Sequence, residues 1–144
     1  MLIIISILIL ACVMKGKDTG RLLGRLKTVD WHSEVSKLMD KLRPYAIKVG
    51  RASMRPILQS YYVLSSSDTP LLDKVLIYAA IVYTVSPVSL LPATVYKLLG
   101  ILDEGIAMLF VYKRIKSRIT PEINVRVEDT LNDWFGVEYE MVED

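Results

Sequence analysis

Few residues in this chain have types and spacing suited to chemistry. Asp103 and Glu104 stand side by side soon after a long uncharged stretch. On a helix, neighbours point about 100° apart, so this pair cannot chelate one ion without a third ligand from elsewhere. At a helix start the same two acids simply oppose the positive end of the helix dipole. The chain has one histidine, His32, and one cysteine, Cys12. That excludes an imidazole cluster, an internal disulfide and a zinc site with two or more thiolates. His32 has Glu34 two residues on and reads as a surface or helix-start residue. Ser65-Ser66-Ser67 has the composition of a loop, and there is no Gly-x-Ser-x-Gly elbow and no glycine motif that cradles phosphate. Gly16, Gly20 and Gly24 recur every four residues, either as a small-residue helix face or as a flexible loop. The expectation is no enzyme, no metal and no cofactor.

The elements that would position these residues are helices. No strict two-residue alternation is long enough to argue a strand. Asp30 or Ser33 can cap a helix in which Val35, Leu38, Met39 and Leu42 share one face. Pro44 is expected to interrupt or kink that run, because it lacks an N–H and restricts the residue before it. A second run follows over 45–64, with Pro56 as a bend, and Ser65 to Asp68 form a polar break. Thr69-Pro70 and Thr120-Pro121 each set a hydroxyl before a proline suited to the first helical position. The last helix carries Ile123, Val127, Leu131, Trp134 and Phe135 on one stripe, and Gly136 can end it. Between these boundaries, 75–96 is a run of 22 uncharged residues divided by Pro87 and Pro92. It predicts a very apolar helix over 71–86, then a second helix over 102–117. The pattern predicts an all-α, compact bundle of about five helices with a central apolar helical hairpin. The alternative is a small integral membrane protein in which the 71–113 hairpin inserts and contributes to an ion or solute pathway.

Hydropathy and charge are both unevenly spread. The chain of 144 residues is 52% apolar with a mean hydropathy of +0.35. Residues 1–13, twelve apolar residues and one serine, supply about 43 of the roughly 50 hydropathy units in the whole chain. Thirteen residues are fewer than the roughly 20 of a spanning helix. Four readings of this segment stand open: a short anchor, a secretory signal, a lipoprotein signal ending at Cys12, or an extension ahead of a natural start at Met14. The organisation is therefore read as an apolar segment 1–14, a helical domain 15–136 and an acidic tail 137–144. Residues 15–55 hold eleven Lys or Arg and four acids, a net of +7, whereas 119–144 hold one Arg and eight acids, a net of −7. A basic stretch directly after an apolar segment suits anionic lipid. The interleaved aromatics of nucleic-acid modules are missing. The partners expected are an anionic membrane surface and an unidentified protein, with no nucleic acid.

The ordered set Tyr83, Pro87, Leu90, Leu91, Pro92, Leu99, Gly100, Leu102 and Asp103, followed by Glu104, resembles the YkvA-like family of small bacterial proteins, a domain of unknown function. That family's pattern is an apolar helix ending in tyrosine, a proline-bounded turn, and a Leu-Gly-x-Leu-acid-acid start to the next helix. The flanks are similar too, with Tyr61-Tyr62 before Asp68-Thr69-Pro70 and Thr120-Pro121-Glu122-Ile123 leading to Trp134-Phe135. The likeness spans roughly 38–135. Two acids of the family's turn are absent, since Ser89 stands at the first and Ala93-Thr94 at the second. The resemblance implies a helical fold at the bacterial cytoplasmic membrane, peripheral or anchored, with the cytoplasm as the alternative. It implies no reaction.

Overall fold

The computed structural model describes residues 2–14, 16–85 and 104–136. They form seven α-helices and one 3-10 turn, and no strand occurs among the described residues. The helices are α1 (Leu2–Met14), α2 (Gly20–Gly24), α3 (Trp31–Val49), α4 (Arg51–Ser65), α5 (Leu71–Val85), α6 (Glu104–Ile115) and α7 (Pro121–Phe135), with the 3-10 turn at Lys116–Arg118. The turn expected between the two central helices falls outside the described residues.

Local rules account for most boundaries. Asp30 caps α3, its Oδ1 accepting from the Ser33 N–H at 3.3 Å. The stripe Val35, Leu38, Leu42 and Ala46 is buried at the spacing of one helix face. Pro44 does not break this helix, which runs on to Val49. Pro44 and Asp40 are both exposed residues, so the hydrogen bond that the proline removes lies on the solvent side of α3. The break falls instead at Gly50, with φ +88°, a conformation costly to any residue with a Cβ. The Gly50 N–H donates to the Ala46 carbonyl at 2.9 Å and closes α3. Pro56 is likewise carried inside α4. Of the two readings open for the Gly16, Gly20 and Gly24 stretch, residues Gly20–Gly24 take the helical one as the short helix α2.

The two Thr-Pro boundaries behave differently. Thr120 caps α7 as expected, its Oγ1 accepting from the Ile123 N–H at 3.2 Å. Thr69 is buried and points the other way, donating to the Val63 carbonyl at 2.7 Å. Its hydroxyl therefore satisfies the C-terminal end of α4, where carbonyls lack intrahelical donors.

The core is built around α5. Nine consecutive residues, Val75 to Tyr83, are buried. A helix buried on all sides needs no polar face, which is why its sequence carries none. It packs against α1, α4 and α6, with a smaller contact to α3. The apolar segment at the start of the chain thus joins the same core, with Ile7, Ile9, Leu10 and Ala11 of α1 buried. Each large aliphatic side chain so enclosed contributes about 1.5–3 kcal/mol. α5 has 15 residues and α6 has 12. No helix among the described residues is long and apolar enough to cross a membrane.

Candidate functional site

Of the residues singled out by sequence, Tyr83 lies in α5, fully buried among the apolar residues of the core. Glu104 is the first residue of α6. Pro87, Leu90, Leu91, Pro92, Gly100 and Asp103 lie outside the described residues. His32 is exposed in the first turn of α3. Among the described residues no group of three or more His, Cys, Asp or Glu side chains could hold a metal ion. The polar groups that do converge are structural or lie on the surface.

Two tyrosines show how the interior handles polar atoms. The Tyr61 hydroxyl donates to the Val35 carbonyl at 3.2 Å, joining α4 to α3. Burial pushes its pKa up to about 12, with smaller contributions from Tyr62 and the Asp40 carboxylate. Tyr78 on α5 meets Trp31 edge to face, with ring centroids 5.7 Å apart, and its hydroxyl points at Glu34 Oε2. Burial again raises its pKa to about 12, with the Glu34 charge adding to the shift. These phenols are held neutral and serve packing.

A second polar set joins α4 to α7. Arg51, Arg55, Gln59 and Tyr62 follow one another at spacings of four, four and three, which places them on one side of α4. Arg51 donates to Asn132 Oδ1 at 2.6 Å and to the Gly136 carbonyl at 3.2 Å. Arg55 grips both oxygens of Glu128, at 2.8 and 3.1 Å. Gln59 donates to Asn124 at 2.9 Å and accepts from Tyr112 of α6 at 3.0 Å. The Tyr62 and Thr130 hydroxyls meet at 2.6 Å. From Arg51 through Arg55 to Gln59, rising α4 numbers meet the falling α7 numbers 132, 128 and 124, so the two helices run antiparallel. α7 itself buries only Val127 and Leu131 fully. Asp73, in the first turn of α5, accepts from Arg114 at 3.0 Å and pairs with Arg118 at 3.3 Å. It ties the start of α5 to the end of α6.

The surface feature with most functional content is cationic. Lys17, Arg21, Arg25 and Lys27 surround α2, all exposed and none in an ion pair among the described residues. The acids closest in sequence are occupied by backbone. Asp18 accepts from the Gly20 N–H at 3.0 Å, and Asp30 caps α3. α2 packs on α1. Ile5, Leu8 and Cys12 of α1 recur at helical spacing and are only partly buried, so α1, on which α2 packs, keeps a partly exposed apolar strip. Sequence alone located the charge. It did not show that these four side chains have no ion-pair partner among the described residues.

Comparison with protein-family models, curated proteins and solved structures finds no match to this chain.

Proposed function

We propose that the chain is a non-catalytic helical interaction module that lies on an anionic membrane surface, as the resemblance to the YkvA-like family implies. The observation that carries this reading is the group Lys17, Arg21, Arg25 and Lys27, exposed and in no ion pair among the described residues, around a helix that packs on the apolar α1. A basic cluster next to an apolar helix face combines the two attractions that hold a peripheral protein on lipid. Each cation near the surface of an anionic leaflet contributes about 1 kcal/mol, and salt screens it.

Co-sedimentation of the full chain with vesicles tests this. Binding to phosphatidylserine-containing vesicles is expected at low salt, falling steeply as salt is added, with little binding to phosphatidylcholine alone. Replacing Arg21, Arg25 and Lys27 together by Ala should weaken it by about 3 kcal/mol, roughly a hundredfold. Equal binding to neutral and anionic vesicles, or no loss in the triple variant, would overturn the reading.

A further inference from the structure

On another face of the molecule, α3 and α7 flank a cleft of about 680 Å³. Both helices run antiparallel to α4 and hence in the same direction. Its apolar lining is Met39, Pro44, Ile47 and Trp134, and Ile47 is 75% exposed, a large aliphatic side chain left in water. Its charged lining is Asp40, Asp129 and Asp133 against a single guanidinium, Arg43. None of these four is in an ion pair among the described residues. The α3 wall spans residues 39–47, about two turns or 12 Å of helix.

We propose that this cleft is a docking groove for a short amphipathic helix of a partner protein that carries apolar side chains on one face and lysines or arginines beside them. The argument is charge complementarity over an apolar lining. Three carboxylates and one guanidinium give the described lining a net charge of −2, which an occupant carrying cations complements. Two parallel helical walls offer the grooves into which the ridges of a third helix pack, with anchors three and four residues apart. The same sign of charge opposes an anionic lipid headgroup. Glu138, Glu140, Glu143 and Asp144, which follow in sequence without a base, have that sign too and cannot neutralise the rim. The chain's own basic helix α2 does not suit the part, because its Leu22 and Leu23, and Leu26 just after it, are already packed on the core. The inference rests on the reading of the chain as an interaction module, not on lipid contact, and it uses none of the residues changed in the vesicle experiment.

The two tryptophans of the chain are Trp31 and Trp134. In the full-length Trp31→Phe protein, Trp134 alone reports on the groove by fluorescence. The probe is a synthetic leucine–lysine amphipathic helix of about four turns, with a leucine–glutamate peptide of the same pattern as control. The leucine–lysine peptide should shift Trp134 emission saturably, and the control should not. Asp129→Asn with Asp133→Asn should weaken binding about tenfold or more, and Ile47→Ser should weaken it as well. All three side chains are exposed and leave the fold intact, which circular dichroism checks. No shift, unchanged affinity in the Asp or the Ile variants, binding of the glutamate peptide, or a Trp134 shift produced by anionic vesicles alone would each overturn the proposal.

Discussion

At Tyr61 and Tyr78 the same cause, burial of a phenol, gives the molecule a defined alkaline limit. The unfolded chain releases these protons near pH 10, and the folded chain holds them to about 12. A pKa raised on folding contributes stability that is complete below the unfolded value and lost as pH climbs through the folded one. Stability is therefore expected to hold up to about pH 10 and to fall between 10 and 12, by on the order of 2 kcal/mol per tyrosine. Tyrosinate absorbance followed alongside far-ultraviolet circular dichroism checks this, since both should change together. Ser6 is the opposite case, a fully buried hydroxyl in the α1 interface that makes no hydrogen bond among the described residues. Ser6→Ala should stabilise the protein by about 1 kcal/mol, read from the urea midpoint. Residue chemistry of this kind is only partly legible in sequence. The Asp30 cap follows from its neighbours alone, whereas the reversed role of Thr69 depends on where the end of α4 lies in space.

Among the elements, α4 shows what a one-dimensional pattern can and cannot convey. Its apolar stripe is readable from spacing. So is the polar stripe of Arg51, Arg55, Gln59 and Tyr62, although its partners lie 53 to 85 residues away in the chain and nothing local announces them. The Arg55–Glu128 pair is partly exposed on both sides, so its net value is modest despite good geometry. A double-mutant cycle with Arg55→Ala and Glu128→Ala should give a coupling of about 0.5–1 kcal/mol that shrinks in high salt. Pro44 marks the limit of local rules. The missing N–H is a sound reason to expect a break, but Pro44 sits on the exposed side of α3, and the helix carries it through to Val49. Gly50, with no such prominence in the sequence, sets the boundary through a backbone conformation that suits glycine. For α1 the sequence showed strong hydrophobicity and left its destination open among several readings. The pairing with α5 could not be read, because both helices are apolar all round and neither has a preferred face.

Taken as a whole molecule, the chain joins two kinds of cohesion. α1 and α5 meet through aliphatic side chains, while α7 is fastened to α4 by hydrogen bonds and a salt bridge around two buried anchors, Val127 and Leu131. The all-helical class and the buried central helix were legible from hydropathy. The acidic groove between α3 and α7 was not, since it combines residues from helices that only tertiary packing brings alongside each other. The unequal fastening also has a kinetic consequence. Amide protons of α7 are expected to exchange with deuterium through a partial opening that leaves the rest of the bundle folded, and to do so faster as ionic strength rises. Those of α5 should exchange only when the whole protein unfolds, at a rate that salt scarcely accelerates. The chain would then behave as two cooperative units of unequal lifetime, with Arg51, Arg55, Gln59 and Tyr62 forming the seam between them.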